Sequence, residues 1–165
     1  MILWAMDWQI PESVTGRILQ ETDDGVPIEF TGELFFNNDV SASYYCSFVT
    51  ALNQLVEICG TNGSVRLDDF VLPVVGESLK FTSSVPDFAV DVCEFKVDHR
   101  TKTHSIIEPS HGQSGAQEVR MFERFSAAVN SGEPEAEWGE YSLKTQMVMD
   151  ACNASARSDC VGLPV

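Results

Sequence analysis

Residues 57–73 read EICGTNGSVRLDDFVLP, with two glycines three apart directly after an apolar run. Two readings compete, and they lead to different folds. A phosphate loop would run from a strand into a helix N-terminus, where free amides and the helix dipole meet the anion. A hairpin would run from one strand back into another. The residues after Gly63 are Ser-Val-Arg-Leu-Asp-Asp-Phe-Val, alternating and β-branched, with no helical stripe, no third glycine and no Gly-Lys-Ser/Thr. Asn62-Gly63 between two strand-like runs is instead a hairpin signal of the type I′ kind, which needs positive φ at both central residues. The stretch therefore predicts an antiparallel pair.

The same alternation extends outward from it. ESVTGRILQ (12–20) is β-branched and ends at the turn Thr22-Asp23-Asp24-Gly25. PIEFTGELFFNND (27–39) alternates and turns at Asn37-Asn38-Asp39. In VSASYYCSF (40–48), Val40, Ala42, Tyr44, Cys46 and Phe48 fall on one face, with Ser41, Ser43, Tyr45 and Ser47 on the other. QLVEICG, SVRLDDF, ESLKFTSS and FAVDVCEFKVDH follow as further strands to about Ile107, joined mostly by short turns. Short turns favour antiparallel neighbours, because a parallel crossover needs a dozen residues or more.

After Pro109 the period changes. AQEVRMFERFSAAVNSG carries Val119, Phe122, Phe125 and Val129 on one stripe and stops at Gly132. EPEAEW (133–138) reads as an acidic connector. Ser142 reads as the N-cap of a second helix, LKTQMVMDACNASAR, with Leu143, Met147, Ala151 and Ala154 aligned. The tail CVGLPV is short and apolar. The expected fold is α+β, a large open, mostly antiparallel β-sheet with two C-terminal helices packed on one face. The 165 residues are enough for one domain. The first nine residues read as the end of a helix stopped by Pro11, with Trp4 and Trp8 an i, i+4 pair. The pair reads as helix packing or, in the minority reading, as a contact with a missing partner domain.

Composition narrows the function. Ten basic against twenty-five acidic side chains give a formal charge of −15, so a nucleic-acid backbone or an anionic membrane surface is repelled. Cys46, Cys59, Cys93, Cys152 and Cys160 form no C-x-x-C pair and no even framework. With no basic n-region ahead of the apolar start, they read as buried thiols in a reducing cytoplasm. His99, His104 and His111 are spaced unlike metal ligands and read as exposed loop histidines, so no metal site is expected. Ser114-Gly115 near His111 is a weak nucleophile signal without a G-x-S-x-G elbow. No acid/base pair stands out, and no catalytic residue is assigned.

Four stretches, taken in order, carry a resemblance. They are ILWAMDWQIPESVTG (2–16), YYCSFVTALNQLVEICGTNGSVRLDDFVLP (44–73), QEVRMFERF (117–125) and SLKTQMVMDACNASAR (142–157). Together they resemble the C-terminal half of the glucose–fructose oxidoreductase / inositol dehydrogenase / MocA-like (Gfo/Idh/MocA) oxidoreductases, over essentially the whole chain. The resemblance implies a substrate-binding and oligomerisation domain, with residues 1–10 the remnant of an interdomain helix and the Rossmann domain outside this chain. It implies NAD or NADP in the full-length enzyme but no cofactor bound by this chain alone. A sugar, polyol or related hydroxy compound is the implied substrate, and assembly is through the open sheet face. The family's dinucleotide fingerprint and catalytic lysine have no counterpart here; Lys144 falls in the last helix of the pattern and does not match that lysine. Residues singled out for substrate or interdomain contact are Trp4, Trp8, Gln117, Trp138, Lys144 and Gln146. The rival expectation is a free-standing, non-enzymatic dimerisation or subunit-interaction module.

Overall fold

A computed structural model describes residues 1–71, 78–109 and 113–165. The order of elements is α1 (Ile2–Ala5), β1 (Ser13–Glu21), β2 (Pro27–Phe36), β3 (Val40–Ser47), β4 (Val56–Gly60), β5 (Gly63–Leu67), β6 (Ser78–Asp91), β7 (Glu94–Ile107), α2 (Gln117–Ser131), α3 (Ala136–Ala156) and β8 (Leu163–Pro164). The class is α+β, with antiparallel sheets followed by two long helices, as the alternation and its change of period predict. The strands divide between two four-stranded sheets, β3-β2-β1-β8 and β4-β5-β6-β7, where one large sheet was expected. Alternation marks strands but carries no record of which neighbour each one pairs with. The break falls at residues 48–55, where Phe48 is 91% and Leu52 82% exposed.

The chain forms two compact units, residues 1–51 with 134–165 and residues 52–133. In the first, β1, β2 and β3 pair in register, so that Val14, Leu34 and Ala42 form one cross-strand row and Gly16, Gly32 and Tyr44 the next. The first row is core: Val14 and Leu34 pack with Leu3, Phe36, Val148 and Cys152, all buried. Full burial of a side chain such as Leu34 contributes roughly 1.5–3 kcal/mol.

The second row sets how closely α3 approaches. A Cβ on Gly16 would lie 2.1 Å from the carbonyl oxygen of Cys152, and one on Gly32 would lie 2.6 Å from the Tyr44 ring. Two adjacent strands without side chains thus leave a trough. The Tyr44 ring fills one end of it, and the α3 backbone rests in the other. Ser155 finishes the seam: its hydroxyl accepts from the Gly16 amide at 3.1 Å and donates to the Val161 carbonyl at 2.6 Å. β8 pairs only with Ser13 and Val14, so Ser155 satisfies the edge of β1 immediately beyond it.

Several expectations shift here, each for an identifiable reason. Helix α3 starts at Ala136, and Ser142 lies inside it, its hydroxyl donating to the Trp138 carbonyl at 2.8 Å. A serine that bonds back to residue i−4 looks in sequence like a cap. The true start at Glu135 carries no side-chain cap. The buried face of α3 is Val148, Cys152 and Ser155, rather than Leu143, Met147 and Ala154, which are exposed. The trough selects a small polar residue that a search for apolar periodicity passes over. The C-terminal tail forms β8. Helix α2 follows its expected bounds and ends at Gly132 in the left-handed region (φ 71). It buries no residue, however, and Phe122 and Phe125 are 64% and 57% exposed. Of the two helices expected on one sheet face, only α3 lays a buried face against strands.

In the second unit Gly60 pairs with Gly63 across a two-residue turn, so the glycine pair at 60–63 closes a hairpin. The turn is not type I′, because neither Thr61 nor Asn62 has positive φ. Gly63 itself (φ 147) is required by crowding, since a Cβ there would stand 2.3 Å from the Ser84 carbonyl oxygen of β6. FAVDVCEFKVDH is a hairpin rather than a single strand: Asp91 pairs with Glu94, and Val92 (φ 52) and Cys93 make the turn. No Gly, Asn or Asp marks those two positions, so sequence shows no break. Among the cysteines only Cys152 is buried; Cys46, Cys59, Cys93 and Cys160 are exposed free thiols, against the expectation of buried ones. His99 and His104 lie in β7, not in a loop, and His111 is outside the described residues.

Candidate functional site

Residues 1–10 fold back onto α3, and this is where the singled-out aromatics meet. Helix α1 ends after Ala5, well short of Pro11, because Asp7 and Trp8 both take left-handed backbone (φ 51 and 58). Two such non-glycine residues each cost of order 1–3 kcal/mol. The reversal is held by the Trp8 amide donating to the Leu3 carbonyl at 2.7 Å. Its result is to lay the Trp8 indole flat on the Tyr141 ring of α3, centroids 3.8 Å apart and planes within 9°. Trp8 is therefore not in one helix with Trp4, and the i, i+4 pair does not form.

Trp138, Tyr141 and Lys144 follow one another at three-residue spacing on α3, so they share the stripe that continues into Val148, Cys152 and Ser155. All three are half-buried. The Tyr141 hydroxyl donates to a Glu137 carboxylate oxygen at 3.3 Å, and Lys144 pairs with Glu140 at 2.6 Å. Partial desolvation, then the carboxylates of Glu137, Glu140 and Asp7, push the Tyr141 phenol above its usual range. Gln146 is exposed and donates to Asp150 at 2.7 Å. Trp4 is 63% exposed. Gln117 opens α2 in the other unit and is exposed.

Thus Trp8, Trp138 and Lys144 come to one aromatic and acidic platform, and Tyr141, its central ring, was missed. Its signal was visible: an aromatic three residues from both Trp138 and Lys144 is on their face once the helix is known to start at Ala136. The platform offers a flat hydrophobic ring pair edged by carboxylates and an ion-paired lysine. That suits stacking against a partner surface. It places no nucleophile beside a base, and no group of three or more His, Cys, Asp or Glu among the described residues could hold a metal ion.

A second polar contact lies below it. Burial, with the neighbouring Cys152 adding, drives the Tyr44 phenol far above its ordinary value of 10.0. Burial likewise raises the Cys152 thiol from 9.0, opposed by its hydrogen bond with Tyr44. Both groups are held protonated, so Cys152 is a packing residue and not a nucleophile. Groups raised in the folded state contribute stability that is fully present below the unfolded thiol and phenol values and is lost as pH rises beyond them. The urea midpoint is expected to be level around neutrality and to fall above about pH 9. In Tyr44→Phe the fall should be shallower. An unchanged alkaline slope in that variant would refute the assignment.

His104 stacks on Phe81 at 4.6 Å, and its Nε2 lies 2.9 Å from the Ser83 hydroxyl. His104 stands directly opposite Phe81 and diagonal to Ser83 on paired strands, so this is a cross-strand contact. No helix among the described residues is long and apolar enough to cross a membrane. No protein-family model matches the chain.

Proposed function

We propose that this chain is the substrate-binding and oligomerisation domain of an NAD(P)-dependent oxidoreductase resembling the Gfo/Idh/MocA type, acting on a sugar, polyol or related hydroxy compound. The hydride transfer would need a Rossmann domain, supplied by a longer chain or a second subunit; this domain would provide one wall of the substrate site. The observation that carries the reading is the platform at residues 1–10. A strained turn lays Trp8 on Tyr141 while leaving Trp4 beside it 63% exposed, in the part of the pattern that joins the cofactor domain in that family. A turn that costs free energy and leaves a tryptophan in water is better accounted for by a partner seated there than by internal packing. The hairpin at Gly60–Gly63 also fits a domain whose phosphate loop is elsewhere.

The rival, a non-enzymatic dimerisation or subunit-interaction module, is favoured by the exposed apolar residues of β6 and β7. Calorimetry separates the two. Titrating NAD⁺ and NADP⁺ into the purified chain is expected to give no tight binding, whereas a separately produced Rossmann domain of the Gfo/Idh/MocA type should associate with it, and Trp4→Asp should abolish that association. Tight nicotinamide binding by the chain alone would overturn the proposal. Absence of association with the Rossmann domain would overturn it in favour of the module.

A further inference from the structure

Strands β6 and β7 pair without a register shift from Ser78↔Ile107 to Asp91↔Glu94, yet β5 pairs with β6 only at Thr82, Ser83 and Ser84. Among the described residues the sheet beyond Ser84 is a two-stranded ribbon, residues 85–100, that reaches past β4 and β5. Pro86 stands at the start of that ribbon, where a missing amide costs no bond on the side away from β7.

Along this ladder the apolar parity reverses. In the body of the sheet Leu79 and Phe81 of β6 share a face with Ile106 and His104 of β7, and Val65 and Ile58 continue that face across β5 and β4. Past Pro86 it is the other face that is apolar: Phe88 opposes Val97, and Val90 opposes Phe95. Whatever covers the body of the sheet therefore cannot also cover the ribbon. Phe88, Val90, Phe95 and Val97 are 59%, 55%, 70% and 55% exposed. The reverse face of the ribbon is charged: Asp87 opposes Asp98 and Asp91 opposes Glu94, like charges directly opposed, with Lys96 and Arg100 on the same face and Lys96 paired with Glu94 at 3.5 Å. A lone two-stranded ribbon is marginal in water, and the opposed acids add no support.

We propose that the occupant of this apolar face is the same face of a second copy of the chain. The four side chains form a checkerboard, phenylalanines on one diagonal with centroids 6.1 Å apart and valines on the other. A two-fold axis lying in the plane of the ribbon, whether along the strands or across them, sets each phenyl of one copy over a valine of the other. Large meets small at every position, which is the self-complementarity an isologous contact requires. The charged faces then turn outward, away from the contact. Exposed area on the four side chains is roughly 500 Å² per copy, about 1,000 Å² for the pair, at the low end of specific interfaces. With each copy at −15, association is opposed at low ionic strength and strengthened by salt. The proposal deepens the oligomerisation part of the function above and rests on that reading only there. Its test reads assembly state, so it and the cofactor-domain reading can fail separately.

Sedimentation velocity on the full chain over a dilution series tests it. The wild type is expected to pass from monomer to dimer as concentration rises, with a larger dimer fraction in added salt. Phe88→Asp/Phe95→Asp should stay monomeric throughout, and the milder Phe88→Ala/Phe95→Ala should weaken association at least about tenfold, with far-UV circular dichroism unchanged. Phe122→Asp/Phe125→Asp, on the exposed stripe of α2, should associate like the wild type. A wild type monomeric at every concentration, or folded ribbon variants that associate undiminished, would overturn the proposal.

Discussion

Replacing Gly16 by alanine is expected to destabilise the first unit by about 3–4 kcal/mol. The added carbon would lie 2.1 Å from the Cys152 carbonyl oxygen and 2.8 Å from the Phe30 ring. The first contact is with helix backbone, so no side-chain rotation relieves it. Either α3 lifts from β1, exposing Val14 and Val148, or β1 bends away from β2. A folded protein of ordinary stability has only about 5–15 kcal/mol to lose. Urea unfolding followed by Trp fluorescence reads the loss as a lower midpoint. Gly139→Ala, at a helical position with nothing within 4 Å, is the control and should be neutral or stabilising. A Gly16 variant within about 1 kcal/mol of the wild type would show that α3 does not rest where it is placed.

Removal of the Ser155 hydroxyl comes second, with an expected cost of about 2–3 kcal/mol. Its relative exposure is 0%, and it is bonded at both ends. Ser155→Ala leaves the buried Gly16 amide without that partner and also frees the Val161 carbonyl at the more exposed end of the seam. The same unfolding experiment measures it, and hydrogen exchange should show the Gly16 amide losing protection first. Because Gly16→Ala would itself pull Ser155 off the strand, the double variant should cost less than the sum of the two. Full additivity would mean that the two residues do not share a seam.

These two residues also mark how far the sequence could be read. Strand alternation and the turns at 22–25, 37–39 and 60–63 were legible, because Asn, Asp and Gly announce a reversal by their backbone preferences. The reversal at Val92-Cys93 was not, since nothing in a β-branched residue announces positive φ. Helix α2 was legible to its end through Gly132. The start of α3 was hidden by a serine inside the helix that resembled a cap. Its buried face was misplaced because the close approach to Gly16 and Gly32 rewards small and polar residues there, a demand that hydrophobic periodicity does not encode. At the platform, Trp8 and Trp138 stand out as types, but their meeting depends on two left-handed residues at 7 and 8 and on Tyr141, which no local pattern joins to them. The reversal of apolar parity at Pro86 was present in the string all along. It becomes interpretable only once the β6–β7 register is known to run through without a bulge.

The seam between β1 and α3 has a consequence in time. Gly16 and Ser155 are 139 residues apart, and the whole of the second unit, residues 52–133, is strung between the two halves of the first. During synthesis the second unit is complete while the residues of α3 are still being added, so it can fold from a contiguous segment. The first unit must wait with β1, β2 and β3 made and their trough uncovered. Closing so long a loop is slow, and an open trough flanked by Leu34 and Phe30 is a hazard for association until it closes. Ser155 and the nearby β8 thus arrive after the strands they close, and their arrival ends the exposure.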